Sequence, residues 1–183
     1  EFSKTHGLKI GAIRDLIEYR AANDQLVEKV AEKDVDTAHG RFRLTAFEDK
    51  TSGDVHFALS HGDIRPERET LVRVHEPISV LDFLDAGSGH HTFPVNQALA
   101  TLAAAEAGVI VLLYRPMSGR ELLAGLDGGH DRPTAKWDAR LFGVGAQILR
   151  ALHVGKMRLL ASPRKIPSMT GFGLEITGFV DKN

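Results

Sequence analysis

Asp138 and Arg140 lie two positions apart, directly before a stretch with helical periodicity. A carboxylate and a guanidinium at this spacing could serve as an acid/base and as a nucleophilic or phosphate-binding group. The same residues could instead be a helix N-cap and a surface cation, because aspartate is a preferred N-cap residue. The local pattern alone favours the cap.

Histidine and basic pairs offer two further candidate sites. His75, His90 and His91 could surround a metal ion, since imidazole is a common zinc ligand. No His-Glu-x-x-His or Cys-x-x-Cys spacing accompanies them, and His90 and His91 stand in a Gly/Ser-rich stretch that favours solvated side chains. Arg164 and Lys165 could bind phosphate, but a basic pair in a loop is usually solvated. The residues alone predict no metal site.

The elements that must position these residues follow from hydrophobic periodicity. Helical spacing predicts helices over residues 10–20, 95–103 and 141–152, with Gly108 ending the second. Alternation, and one continuous apolar run, predict strands over residues 27–35, 41–47, 55–59, 71–75, 109–114, 157–161 and 174–180. Turn residues at 51–54 join two of these strands into a β-hairpin, and loops are expected at 86–94 and 125–133. We therefore predict an α/β fold, a mixed β-sheet with helices on both faces and an N-terminal β-hairpin region.

Composition excludes several classes of protein. The chain has 183 residues, a formal net charge of −1 and no cysteine. Zero cysteine rules out disulfides, thiol nucleophiles and cysteine-bound metals, and the near-neutral charge argues against a nucleic-acid partner. No run approaches the roughly 20 apolar residues of a membrane span, and no signal peptide is evident. We therefore expect a cytoplasmic fragment of a longer protein, with no membrane partner.

An ordered set of fragments resembles two enzymes that are often fused in riboflavin biosynthesis. Residues 6–13 and 15–20 resemble the C-terminal end of 3,4-dihydroxy-2-butanone-4-phosphate synthase. The remainder resembles GTP cyclohydrolase II, through residues 40–44, 58–59, 62–64, 71–75, 111–114, 119–120, 142–149, 157–160 and 171–175. The resemblance implies a synthase tail over residues 1–25 and a GTP cyclohydrolase II-like domain over residues 26–183.

The resemblance also implies a zinc ion that this sequence has no cysteines to hold. In the family, three cysteines bind zinc, which activates water to open the imidazole ring of guanine, and formate leaves. Aligned without a gap after Arg73-Val74-His75, the three cysteine positions fall on Ile78, Gly89 and His91. We therefore expect no metal and no cofactor in this domain.

Other family positions retain their residue types. The resemblance assigns the acid/base role to Asp138 and the nucleophilic attack on the α-phosphorus, which releases pyrophosphate, to Arg140. It assigns nucleotide or phosphate contacts to Arg73, Val74, His75, Gly119, Arg120 and Lys165. The acidic group that reads guanine in the family is replaced by Ser118.

These residues predict a degenerate domain that serves as a structural or regulatory module of a synthase. Its expected partners are its own N-terminal synthase domain and a second copy in a homodimer, with GTP or a related nucleotide as a possible ligand. Two alternatives stay open. One is an enzyme, which either cleaves a nucleoside triphosphate through Asp138 and Arg140 or is an active GTP cyclohydrolase II with a rebuilt metal site of His75, His90 and His91. The other is a sensor that binds phosphate through Arg73, Arg120 and Lys165.

Overall fold

A seven-stranded mixed β-sheet forms the centre of the protein. The computed structural model describes residues 2–13, 15–16, 19–20, 24–78, 83–84, 93–114, 118–120, 123, 139–163, 166 and 169–181. In chain order, the strands are β1 (Val27–Thr37), β2 (Gly40–Asp49), β3 (Val55–Gly62), β4 (Glu69–Ile78), β5 (Ala107–Tyr114), β6 (Lys156–Leu160) and β7 (Glu175–Val180). Their order in the sheet is β1-β2-β3-β5-β4-β6-β7. The predicted mixed sheet is confirmed.

The sheet has an antiparallel half and a parallel half that meet at β5. Strands β1, β2, β3 and β5 pair antiparallel, and the predicted hairpin appears with Phe47 opposite His56. Strands β5, β4, β6 and β7 pair parallel. Because β3 runs against β5, the start of β3 and the ends of β4 and β5 lie at the same end of the sheet.

Helices cover both faces of the sheet, as predicted. The helices whose bounds lie within the described residues are α1 (Phe2–His6), α2 (Val95–Ala103) and α3 (Ala139–Ala151), and a 3-10 turn spans Thr170–Phe172. Strand β5 shows the two-sided burial best, because its successive side chains point to opposite faces. Val109, Val111 and Leu113 pack with the apolar side of α3, whereas Ile110 and Leu112 pack with α2.

One predicted boundary is wrong. Gly108 does not end the helix that precedes it, because α2 ends at Ala103 and β5 already begins at Ala107. Gly108 lies instead against α2, since a Cβ atom on it would lie 2.8 Å from a methyl group of Leu102 and 3.1 Å from the Cβ of that residue, so the Leu102 side chain would have to shift. Gly155 is confined in the same way, because its Cβ would lie 2.3 Å from the carbonyl oxygen of Pro66.

The N-terminal segment differs from the rest of the chain in its exposure. Within the predicted helix at 10–20, the described residues Ile13, Leu16 and Tyr19 are helical, and a separate short helix, α1, precedes it. Their large apolar side chains are mostly exposed, as are those of Phe2 and Ile10. Across the part of the chain that the structure describes, no helix is long and apolar enough to cross a membrane.

Candidate functional site

The structure places only some of the candidate residues, and one of them, Ile78, lies at the end of the sheet where β4 and β5 finish. Ile78 and Tyr114, the last residues of these strands, are partners in the parallel register. Gly119 and Arg120 follow β5, and both are exposed. Asp138, Lys165, Gly89, His90 and His91 lie outside the described residues, so their predicted roles stay predictions.

Arg73 lies inside the sheet rather than on its surface. Its guanidinium is buried, and its two terminal nitrogens donate to the backbone oxygens of Leu160, at 3.0 Å, and Phe93, at 3.3 Å. These bonds connect β4 to the end of β6 and to the chain two residues before α2. Sequence reasoning predicted a phosphate contact for Arg73, and the observed bonds support a structural use of the side chain.

The neighbouring residues of β4 are also internal. His75 is fully buried and pairs in register with Leu112, and Val74 packs at the edge of the core beneath α3. Among the residues that the structure describes, no three His, Cys, Asp or Glu side chains lie close enough together to hold a metal ion.

Arg140, in the first turn of α3, forms an ion pair with a carboxylate that sequence reasoning missed. Its Nη1 atom donates to Oδ2 of Asp49 at 3.1 Å, and its Nη2 atom lies 3.9 Å from the carboxylate of Asp54. The Asp49 side chain is fully buried, whereas that of Arg140 is 43% exposed. The guanidinium therefore fastens the start of α3 to the turn between β2 and β3.

Several donors keep the Asp49 carboxylate ionised. Its Oδ1 atom accepts the backbone N–H of Thr51 at 2.8 Å. Burial alone would raise the pKa of Asp49, but the N–H of Thr51, the hydroxyl of Ser52 and the charge of Arg140 outweigh burial and lower that pKa. Asp49 is thus a buried carboxylate, held in its charged form, and Arg140 is its cationic partner.

His56 lies beside this ion pair on β3 and is fully buried. Its Nδ1 atom accepts the backbone N–H of Tyr114 at 3.1 Å, so the neutral ring carries its proton on Nε2. Within the described part of the chain, that Nε2 atom has no hydrogen-bond partner. Burial lowers the pKa of His56 and Arg140 lowers it further, against the opposing effects of Asp49 and Asp54.

A sequence signal for Asp49 existed in the alternation of β2. Thr45, Phe47 and Asp49 are spaced by two, so they point to the same face of the sheet, and all three are buried. An acidic residue at an inward position of a strand requires a partner. The identity of that partner depends on α3, which is distant in sequence.

The chain is similar in sequence to proteins of riboflavin biosynthesis. Residues 28–181 match the family model described as GTP cyclohydrolase II. The chain is 43% identical over 179 residues to a 3,4-dihydroxy-2-butanone 4-phosphate synthase of Neisseria meningitidis serogroup A, a match that covers 98% of this chain and 49% of the relative. It is 35% identical over 193 residues to riboflavin biosynthesis protein RibBA of Aquifex aeolicus, covering 96% of this chain and 47% of that protein.

A solved structure agrees with these matches. The crystal structure of RibBX, a two domain 3,4-dihydroxy-2-butanone 4-phosphate synthase from A. baumannii, superposes with a TM-score of 0.55 at 33% identity. The superposition covers 98% of this chain and 47% of the RibBX chain. The chain thus spans about half the length of the relatives it matches.

Proposed function

Because the chain belongs to the GTP cyclohydrolase II family, we propose that it is a member of that family that has lost zinc-dependent ring opening. In this proposal, it serves as a structural or regulatory module of a 3,4-dihydroxy-2-butanone-4-phosphate synthase in riboflavin biosynthesis. The observation that carries the proposal is the complete absence of cysteine.

The donor set at the family's ligand positions does not fit zinc. Ile78 offers a hydrocarbon side chain, Gly89 offers none, and His91 offers one imidazole. A zinc site that activates water needs about three protein ligands and an open position. One imidazole leaves two of these ligands without a replacement, so we derive no metal-dependent step for this chain.

The second half of the family's reaction also lacks support. A nucleophilic arginine must present its guanidinium to the α-phosphorus of a bound nucleotide. Here one face of the Arg140 guanidinium is turned to the buried carboxylate of Asp49, with Asp54 close by. Two negative charges beside this guanidinium oppose the approach of a triphosphate. The contacts favour a structural use of Arg140.

The partner in this proposal is the portion of the relatives that the chain does not match. Residues before Val27 fall outside the family match, which begins at residue 28, yet the synthase relatives align over 98% of the chain. We propose that residues 1–25 are the end of the synthase portion and that the exposed apolar side chains of Ile13, Leu16 and Tyr19 pack against it. A homodimer in the cytoplasm is part of the same proposal.

Metal content and GTP turnover test the loss of activity directly. We expect the purified chain to contain no stoichiometric zinc and to release neither formate nor pyrophosphate from GTP. A cyclohydrolase II with its three cysteines, prepared in parallel, controls for the assay. The triple variant Ile78→Cys, Gly89→Cys, His91→Cys should gain zinc. Stoichiometric zinc together with formate release by the unchanged chain would refute the proposal.

A phosphate-binding sensor is a second candidate, favoured by the exposed side chain of Arg120 next to Gly119. Gly119 has no Cβ atom, so a phosphate group can approach its backbone closely, and the exposed guanidinium of Arg120 can bind the phosphate oxygens. Calorimetry with GTP, flavin mononucleotide and ribulose 5-phosphate tests it. Lys33→Ala, at an exposed position of β1, is the control. Binding that is lost in Arg120→Ala and kept in Lys33→Ala would support the sensor, and no heat of binding with any of the three ligands would exclude it.

A further inference from the structure

Gln147 joins helix α3 to the chain that enters the domain. Its side chain is only 7% exposed. The Oε1 atom accepts the backbone N–H of Leu26 at 2.8 Å, and the Nε2 atom donates to the backbone oxygen of Asp24 at 3.1 Å. These bonds connect residues separated by more than 120 positions in the sequence. We call this pair of bonds the Gln147 clasp.

The chemistry of the clasp requires an amide. One end of the side chain must donate and the other must accept, and only a carboxamide does both at this length. Glutamate could accept but not donate, and methionine could do neither. The neighbours Ala146, Ile148 and Leu149 are apolar and buried, so an amide here would cost stability unless both of its ends were bonded. The clasp satisfies both ends.

The clasped segment is bonded on its other side as well. The backbone oxygen of Leu26 accepts the N–H of Lys50 at 2.8 Å, and Val27 pairs in register with Asp49. The Asp49 carboxylate in turn holds Arg140. Arg140 and Gln147 are seven positions apart, which places them on the same side of α3. Two polar contacts on one side of the helix therefore fix α3 to the start of the β1–β2 hairpin.

Upstream of the clasp, the chain remains bonded. The N–H of Asp24 donates to the backbone oxygen of Arg20 at 2.7 Å, and Nε of Arg20 donates to the Asp24 carboxylate at 2.7 Å. Asp24 is thus bonded to Arg20 on one side and to Gln147 on the other. These bonds restrict rotation at the point where the N-terminal segment joins the domain.

We propose that the Gln147 clasp, together with the Asp49–Arg140 ion pair, is a joint that fixes the direction in which residues before Asp24 leave the domain. A displacement of the preceding segment is transmitted to α3 through the clasp. The joint itself depends only on these contacts. Its use, to hold a preceding synthase portion in one orientation, rests on the proposed function.

Hydrogen exchange on the whole chain tests the clasp locally. Gln147→Met keeps the length of the side chain and removes both bonds, and Gln97→Met, at an exposed position of α2, is the matched control. Loss of a bond of ordinary strength should speed exchange of the Leu26 amide by about tenfold. The amide of Val111 in the central strand should remain strongly protected, which shows that the variant is folded. An unchanged Leu26 amide in the folded variant would overturn the proposal.

A distance measurement tests the direction. Because the chain has no cysteine, Leu16→Cys and Ala100→Cys place two spin labels without background labelling. We expect one narrow distance distribution in the parent and in Gln147→Glu a broader one, since the carboxylate cannot donate to Asp24. A broad distance distribution in the parent, or a distribution in Gln147→Glu as narrow as that of the parent, would overturn the proposal that the clasp fixes the direction of the preceding segment. Zinc content and GTP turnover do not enter these measurements, so the proposed function and the joint can fail independently.

Discussion

Removal of the Arg140 side chain should lower the stability of the protein without removing a catalytic activity. Arg140→Met keeps the aliphatic stem and deletes the guanidinium that pairs with the buried Asp49 carboxylate. Loss of one partner of a fully buried pair costs about 3–5 kcal/mol. Arg140 is 43% exposed, and Thr51 continues to bond Asp49, so both facts reduce the cost. We expect a loss of about 2 kcal/mol in the free energy of unfolding, in line with a charged hydrogen bond.

Urea unfolding followed by circular dichroism measures this loss, and a double-mutant cycle assigns it to the pair. Asp49→Asn leaves an oxygen for Thr51 but places an amide against the guanidinium. The coupling energy between Asp49→Asn and Arg140→Met should be about 1–2 kcal/mol. Arg41→Met is the matched control, because its ion pair with Asp34 is exposed to solvent and its loss should change the free energy of unfolding much less.

The pH dependence of the cycle supplies an independent check. The pKa of Asp49 is lowered in the folded protein, so its contribution to stability is present above the ordinary value of 3.8 and is lost as the pH falls further, through the folded-state pKa. The stability difference between the parent and Asp49→Asn should therefore narrow below about pH 4. Coupling below about 0.3 kcal/mol, or pyrophosphate release that Arg140→Met abolishes, would contradict this explanation of Arg140.

Two further predictions concern buried positions. The pKa of His56 is lowered from 6.5 in the folded protein, so the free energy of unfolding falls as the pH drops below 6.5, where the unfolded chain takes up the proton. Urea unfolding at pH 7 and pH 5 should show this fall in the parent and in the control His6→Asn. The same comparison should show no such fall in His56→Asn. Gly155→Ala should cost about 1–3 kcal/mol, because its Cβ would meet the Pro66 oxygen. Gly11→Ala is the control, because an added Cβ atom there would meet nothing within 4 Å, and it should change the melting temperature little.

Much of the sheet could be predicted because each strand carries its own periodic pattern. The continuous apolar run at Val109–Tyr114 predicted a strand covered on both faces, and β5 has α3 on one face and α2 on the other. The Gly108 prediction failed because a glycine can lie in close contact with a packed helix as well as at a helix end. The sequence pattern does not distinguish these two positions, since the contact with Leu102 depends on how α2 turns back onto β5.

The candidate site was less predictable because its contacts connect distant elements. Arg140 was selected from its neighbour in sequence, yet its observed partner Asp49 lies 91 positions away. The sequence gives no sign of the contacts of Gln147, since a glutamine in an amphipathic helix is usually solvated and its burial depends on where the chain before β1 runs. His56 was a strand residue by pattern, and only the pairing of β3 with β5 brings it to the amide of Tyr114. Local patterns predict elements, whereas these roles depend on register and packing.

The retained arginine and the missing cysteines can be explained together. A residue at a family's catalytic position indicates catalysis only if no other requirement of the fold keeps it there. Arg140 meets such a requirement, because without it the buried carboxylate of Asp49 would lose its cationic partner. The zinc-ligand positions differ from Arg140, because Ile78, which stands at one of them at the end of β4, has no donor atom in its side chain. The presence of Arg140 therefore does not by itself argue for pyrophosphate release, whereas the absence of cysteine supports the proposed loss of ring opening.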